Sequence, residues 1–315
     1  MGSPETSAST PRWPRRIAYG ALGCGVVGSA LAWGAHTTWL GALCAELGAH
    51  FAWGGAVVTA LLLWCRAWPA ATLAAALSIA HAAPAASAVC APWDEGESIG
   101  TVAVANVLTP TTHFEDLRRW LGKEEVIVAG LIEVSYAWSL ALATWDEFPH
   151  QLVEADEGNF GLAILSRYPL RDAQLHVFDG YPLVSAVAEV PGGDVSVWVG
   201  HPFPPGPFGM EGERQRYLRW MEERVEGERL VVMGDFNATE SGPTYRRLRS
   251  ALGVRESRRA CRRQTTWPAP LRGLGFPLDH IWVGDDVGVA ARRVGPAGQS
   301  DHHPVAADLV WLATP

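Results

Sequence analysis

The chain has 315 residues, 48% of them hydrophobic, and a formal net charge of -8 from 33 acidic and 25 basic side chains, with a pI near 5.7. That length suits one large domain plus an accessory region, and the acidic balance excludes avid nonspecific binding to nucleic acid, which needs many Lys and Arg on the phosphates. Lys123 is the only lysine, and none of the five cysteines has the C-x-x-C spacing of a sulfur metal site.

Hydrophobicity is unevenly spread. Residues 1–16 form a polar tail ending in Arg12, Arg15 and Arg16, and Ile17 to Ala35 then runs without charge for about the length of a bilayer crossing. A cleavable signal peptide fits the same pattern through Ala30-Leu31-Ala32, but the apolar sequence that follows favours an uncleaved anchor. A second apolar stretch runs from Glu46 to Cys65, Arg66 interrupts it, and a third runs from Pro69 to Val89, weakened by His81 and Pro84. Residues 17–92 are therefore predicted to be a membrane region of about three transmembrane helices, with a soluble helical hairpin as the alternative. The N-terminal arginines and Arg66 mark cytoplasmic ends, whereas residues 36–47 have no Lys or Arg. Three crossings would place residues 93–315 outside the cell; if the third stretch does not span, they lie in the cytoplasm. Cys24, Cys44 and Cys65 sit in apolar surroundings as small hydrophobes, and Cys90 and Cys261 could pair in an oxidising compartment.

From Ser98 the pattern changes to short Val-rich strands, turns and amphipathic helices. Thr101–Asn106 reads as a strand ending in an amide. Phe114, Leu117, Trp120 and Leu121 share one face of a helix. Val126–Val134 is a buried strand interrupted by Glu133, a costly residue there unless paired or bound to a metal. Gly158–Leu170 reads as a glycine-rich entry to a strand ending at Ser166-Arg167. Val184–Val199 is a hairpin around Pro191-Gly192-Gly193-Asp194, and its second strand leads into Gly200-His201-Pro202.

A charged helix over Glu211–Glu226 precedes Leu230–Thr239, where a strand stops at Gly234-Asp235-Phe236-Asn237. Asp235 and Asn237 are two apart, so extended chain projects them to one side, although an Asx turn closing the strand is the plainer reading. A short helix near Thr244–Ala251 leads to Arg255, Arg258, Arg259, Arg262 and Arg263, read as a solvated surface or a phosphate-binding patch. Pro277–Val283 is a strand carrying Asp279, and S-D-H-H-P at Ser300–Pro304 precedes a final strand, Val305–Leu312. This succession predicts an α/β sandwich of two sheets with helices outside.

The polar strand ends are Asn106, Glu133, His201, Asp235, Asn237, Asp279, Asp301 and His302. Carboxylate and amide oxygens without thiolates suit a hard cation, Mg²⁺ or Mn²⁺, and such an ion near two histidines points to hydrolysis of a phosphate ester.

Read in order, strand-Asn, L-I-E, G-x-A-I-L-S-R-x-P-L, a strand ending in His, G-D-F-N, L-D-H-I and S-D-H-x-P resemble the endonuclease/exonuclease/phosphatase superfamily from about Gly100 to Leu312. That group includes apurinic endonucleases, pancreatic-type deoxyribonucleases, inositol polyphosphate phosphatases and neutral sphingomyelinases. The resemblance implies a four-layered αββα sandwich over residues 93–315. It implies Glu133 as principal metal ligand, Asn106 beside it on metal or phosphate, and Asp301 completing the metal environment. It further implies that Asp235 orients or deprotonates the attacking water, Asn237 holds a phosphate oxygen, Asp279 hydrogen-bonds His302, and His201 assists at the leaving group or phosphate. Two positions depart from the pattern: Leu108 stands where some nuclease branches carry a second acid, and Val199 where an Asn often supports the His. The expected protein is thus a membrane-anchored, metal-dependent phosphoesterase acting on nucleic acid, lipid or sugar phosphate, with a catalytically silent binding or scaffolding member of the same fold as the alternative.

Overall fold

A computed structural model describes residues 12–35, 38–86, 92–112, 114–258, 264–271 and 273–312. Cys90 and Cys261, whose pairing was an option above, lie outside the described residues. The chain divides into two units, residues 1–87 with 240–243 and residues 88–239 with 244–315.

The first unit is helical, with α1 (Arg12–Trp33), α2 (Trp39–Glu46), α3 (Gly48–Trp64) and α4 (Trp68–Ala86). Thr38 caps α2 by accepting the Gly41 N–H at 3.0 Å. The second expected span, Glu46–Cys65, forms the single helix α3, which meets the preceding α2 at 65° across Leu47. Among the described residues no single helix is long and apolar enough to cross a membrane, whereas the bent pair α2–α3 passes by length and composition. Arg12, Arg15 and Arg16, with Gly20, Gly23, Gly25 and Gly28, dilute the hydropathy of α1. Small residues let these helices approach: Ala18, Ala67, Ala71 and Ala74 surround Leu62.

The second unit runs β1 (Glu97–Asn106), α5 (Phe114–Lys123), β2 (Val126–Ile132), α6 (Tyr136–Leu142), β3 (His150–Glu154), β4 (Leu162–Ser166), β5 (Leu170–Phe178), β6 (Tyr181–Val190) and β7 (Gly193–Gly200). It continues with α7 (Met210–Glu222), β8 (Leu230–Asp235), α8 (Pro243–Ala251), β9 (Arg255–Glu256), β10 (Asp279–Val283), β11 (Val287–Val294) and β12 (Val305–Trp311). One sheet has the order β11-β12-β1-β2-β4-β3 and the other β5-β6-β7-β8-β10-β9. The β1–β2 and β7–β8 pairs are parallel, with α5 and α7 as their crossovers.

Alternation along the strands separates three apolar layers. Val102, Val104, Val128 and Ile164 of one sheet meet Val184, Val197, Val199, Val231, Met233 and Ile281 of the other in the central core. On the opposite faces, Trp120, Leu121 and Trp138 cover Ala103 and Ala105, and Tyr217, Leu218 and Met221 of α7 cover Trp198 and Val232. Each such buried side chain contributes about 1.5–3 kcal/mol, and the result is the expected order of helix, sheet, sheet, helix. Gly234 is required where β7 and β8 run closest, since a Cβ there would lie 2.1 Å from the Gly200 carbonyl oxygen.

The sequence reading extended the second strand to Val134, but the ladder ends at Ile132 because Glu133 has a φ of 62°. It passed over α6, β3, β5, β9 and β11. The arginine cluster is in part structural: Arg255 donates to Asp94 at 2.8 Å and Arg258 is buried, while Arg259, Arg262 and Arg263 lie outside the described residues.

Candidate active site

Strand parity assembles the site. Val102 and Val104, Val197 and Val199, Val231 and Met233, and Ile281 and Val283 all face the central core. The next residue of the same parity in each row is Asn106, His201, Asp235 or Asp279. Each row of core residues therefore ends in a polar side chain between the sheets, and three of the four are at most 2% exposed. Antiparallel register sets Asp279 directly opposite Asp235, so the end of β8 and the start of β10 meet at one rim. Glu133 and His302 join them from the turn after β2 and the turn before β12.

The side chains form one connected web. Asn106 Nδ2 donates to Glu133 Oε1 at 2.9 Å and to Asp235 Oδ2 at 3.2 Å, bridging the two sheets. Asp235 Oδ2 also faces His302 Nε2 at 3.6 Å and His201 Nε2 at 3.7 Å. His302 Nδ1 is bonded to Asp279 Oδ2 at 2.8 Å. Asn237 takes an Asx turn, its N–H donating to Asp235 Oδ1 at 3.0 Å, while its Nδ2 donates to the Pro202 carbonyl at 3.0 Å and lies 3.4 Å from His201 Nε2. Asp301 stands outside this web and accepts the Trp267 Nε1–H at 2.9 Å.

Four of the ten non-glycine residues with left-handed backbone among the described residues lie at this rim. Glu133, Asn237, Asn159 and Leu108 have φ of 62°, 47°, 69° and 59°. For Asn this conformation is common, but for Leu it is a strained outlier of the kind that gathers at functional sites. The Leu108 turn is held by its own N–H donating to Asn106 Oδ1 at 3.1 Å, and it brings Thr109 N to 3.4 Å from Glu133 Oε2.

Burial lowers the pKa of His302, but the charges of Asp279 and Asp235, the hydrogen bond to Asp279 and the more distant Asp301 outweigh it and push it up to about 10. Burial likewise works to raise Asp279, and the charge of His302 holds it below the ordinary carboxylate value. Asp235, Asp279 and His302 offer ligand atoms within 4.8 Å of one another, yet a protonated His302 has no lone pair to give a metal. The carboxylates left for a cation are those of Glu133 and Asp235.

The oxygen atoms left over fit a divalent ion. Thr109 Oγ1, beside Glu133, is buried with no hydrogen-bond partner among the described residues, a costly arrangement unless another group satisfies it. With no thiolate among the donors, the set matches a hard, oxygen-seeking cation.

Several contributors escaped the sequence reading. Asn159 supplies the support for His201 that Val199 cannot, since its carbonyl lies 3.1 Å from His201 Nδ1. Ser300 ties the two turns together, donating to the Asn106 carbonyl at 2.7 Å and accepting the His302 N–H at 3.0 Å. Its place in S-D-H was the available signal for that role; Asn159 acts through its main-chain carbonyl and Thr109 through a hydroxyl beyond the strand end, and no spacing announces either.

The sequence profile described as the Endonuclease/Exonuclease/phosphatase family matches residues 103–302. No curated protein sequence matches the chain. Among solved structures, an endonuclease/exonuclease/phosphatase from Beutenbergia cavernae aligns with a TM-score of 0.55 at 18% identity, over 70% of this chain and 73% of its own. The 3′ phosphatase NExo from Neisseria, solved with a product DNA hairpin, aligns at 0.56 and 18%, over 67% and 100%. D. rerio TDP2 with a single-strand DNA product aligns at 0.53 and 15%, over 67% and 98%. Identities this low show likeness of fold alone. The profile match spans well over half of the chain and takes in Glu133, His201, Asp235, Asn237, Asp279, Asp301 and His302, and on that match the chain belongs to the endonuclease/exonuclease/phosphatase family.

Proposed function

We infer that this chain is a divalent-metal-dependent phosphoric ester hydrolase, with Mg²⁺ or Mn²⁺ as its ion, held at a membrane by its helical unit. The observation that carries the chemistry is the position of Asp235 Oδ2, within 3.2–3.7 Å of Asn106 Nδ2, His302 Nε2 and His201 Nε2. That oxygen, beside the Asn106 amide and the charged His302 at the rim, is placed to orient a water molecule and take its proton. Charged His302, held by Asp279, faces the developing negative charge of the phosphoryl group, and Asn237 Nδ2 is placed to donate to a phosphate oxygen. His201, with Nδ1–H donating to Asn159, keeps Nε2 at the rim for the leaving-group side. Glu133, Asn106 and Asp235 would hold the cation, with Thr109 beside them, while Asp301, expected from the sequence to complete the metal environment, is instead bonded to Trp267. When bound, such an ion neutralises phosphoryl charge and lowers the pKa of its water.

Membrane attachment rests on the surface of the helical unit. Trp13, Ile17, Val27, Trp33, Trp53, Val57, Trp64, Trp68 and Ile79 are all exposed, an apolar surface far beyond what water-facing helices carry. Trp13, Trp33, Trp64 and Trp68 sit at or near helix ends, the pattern of an aromatic belt. With Arg15, Arg16 and Arg66 on the cytoplasmic side, three crossings would leave the catalytic unit outside the cell.

The test is hydrolysis by the detergent-solubilised full chain of a generic phosphodiester, then of DNA, RNA, phospholipid and sugar-phosphate substrates, with added Mg²⁺. Activity should vanish with chelator and in Asp235→Ala, and fall on the order of a hundredfold or more in His302→Ala. Full activity in His302→Ala would remove the mechanism. A C-terminal tag that survives external protease on sealed cells would overturn the outward orientation.

A further inference from the structure

Beneath the rim lies a buried charged network that the proposed chemistry does not use. Glu256, on β9, has Oε2 2.6 Å from His280 Nδ1, and the same oxygen accepts Trp282 Nε1–H at 3.1 Å and the Tyr245 hydroxyl at 3.2 Å. Its Oε1 accepts the Arg258 N–H at 3.2 Å. The other nitrogen of His280, Nε2, lies 2.9 Å from the Ala238 carbonyl. Both ring nitrogens thus face atoms that only accept, and the doubly protonated ring is the form that satisfies both. Burial works to raise the Glu256 carboxyl, but His280, Arg292 and Arg258 outweigh it and hold it well below the ordinary range. The carboxylate and imidazolium form a charged pair, and His280 is fully buried.

The far end of this network lands on the backbone of the active site. Ala238 follows Asn237, whose left-handed φ of 47° aims its side chain at the Pro202 carbonyl and His201. Two more buried cations act on neighbouring carbonyls: Arg214 Nη2 donates to the Asn237 carbonyl at 3.2 Å, and Arg292 Nη2 to the Asp279 carbonyl at 3.2 Å. Arg214 lies within the apolar stripe of α7 formed with Tyr217, Leu218 and Met221. Three carbonyls of the catalytic backbone, those of Asn237, Ala238 and Asp279, are therefore held by buried nitrogen groups. Buried ion pairs are weak sources of stability, since apolar residues of similar volume often serve as well. Fixing geometry is the role left to this one.

We propose that Glu256 and His280 are positioning residues, which lock the Asn237–Ala238 turn in its left-handed form and so set the Asn237 amide where a phosphate oxygen is to be held. The kinetic consequence rests on the hydrolase reading; the structural one does not. In the full-length protein, His280→Phe should raise amide hydrogen exchange over residues 236–239 about tenfold or more, with β2 and β4 unchanged. It should lower kcat by about tenfold to a hundredfold, as expected for a displaced positioning group, with the metal Kd from calorimetry unchanged. His280→Gln, which keeps a donor for the Ala238 carbonyl, should recover most of the loss. Glu256→Gln provides a second variant should His280→Phe not fold, and should show the same local exchange with a smaller kinetic effect. Unchanged exchange over 236–239 in the folded variants overturns the proposal, as does a loss of protection spread evenly across both sheets. If the wild-type chain hydrolyses nothing, the hydrolase reading fails while the exchange data still decide this one.

Discussion

Replacing Asp279 with Asn tests whether the fold itself charges His302. The two side chains are nearly the same size, so the change removes one negative charge 2.8 Å from His302 Nδ1 and little else. Burial, which favours the neutral ring, remains, as does Asp235 at 3.6 Å. In metal-free protein the variant ring should titrate about 1–3 pH units lower than wild type. The rise from 6.5 to about 10 in wild type favours the charged ring by on the order of 5 kcal/mol. The opposite displacement of Asp279 is the same interaction seen from its partner and is counted once. Because the folded pKa of His302 is the raised one, its stabilising contribution is complete below pH 6.5 and is lost as pH climbs through about 10. Denaturant unfolding of wild type should weaken across that window, and the Asp279→Asn variant should show a flatter profile. NMR of the His302 ring protons gives the titration directly. A variant ring that still titrates at the wild-type value would show that Asp279 is not the source of the charge.

The hydroxyl of Thr109 should matter to the ion and little to the fold: Thr109→Val should weaken Mn²⁺ or Mg²⁺ binding several-fold by calorimetry and Thr109→Ser should not, because its buried oxygen has no partner among the described residues. Mg²⁺ at about 100 times its Kd should stabilise the folded chain by about 2.7 kcal/mol, seen as a fall in Tm when chelator is added; a Tm indifferent to chelator would argue against the site. Gly234→Ala places a Cβ 2.1 Å from the Gly200 carbonyl oxygen, so β7 and β8 must part, with a stability loss of about 1–3 kcal/mol or more by thermal unfolding. Glu256, whose folded pKa is depressed, gives stability that is complete above its ordinary 4.5 and lost as pH falls. Acid unfolding of Glu256→Gln should therefore be less steep than that of wild type.

The sequence made visible what strand alternation encodes. Rows such as Val102-x-Val104-x-Asn106 and Val231-x-Met233-x-Asp235 state both the strand and the side its last residue faces, so the sandwich and the carboxylates and histidines of the rim could be read before any contact was known. The elements passed over lack that signal. β5 is mostly exposed along its length, and β9 has two residues, so neither shows an apolar period. His280 appeared in the sequence only as the third residue of L-D-H-I, with no role attached, because its role depends on Glu256, 24 residues away, and on a main-chain carbonyl. The arginines misled for the opposite reason: a run of charge looks solvated in sequence, and only tertiary pairing shows that Arg258 is buried. The helical region was legible as apolar, and the break at Leu47 falls where Glu46 opens the second apolar stretch, but the short helix α2 before it was not separated from its surroundings.

Strand parity also settles where this protein can change length. Asn106, His201, Asp235 and Asp279 each close a two-residue repeat, so deleting a single residue within β8 would turn Asp235 toward the α7 side and empty the site. Additions after His201, in residues 202–209, or in the turn before Asp279 leave every repeat in frame. Insertions and deletions should therefore accumulate in those segments among descendants of this chain, altering what reaches the rim without moving the atoms that act there.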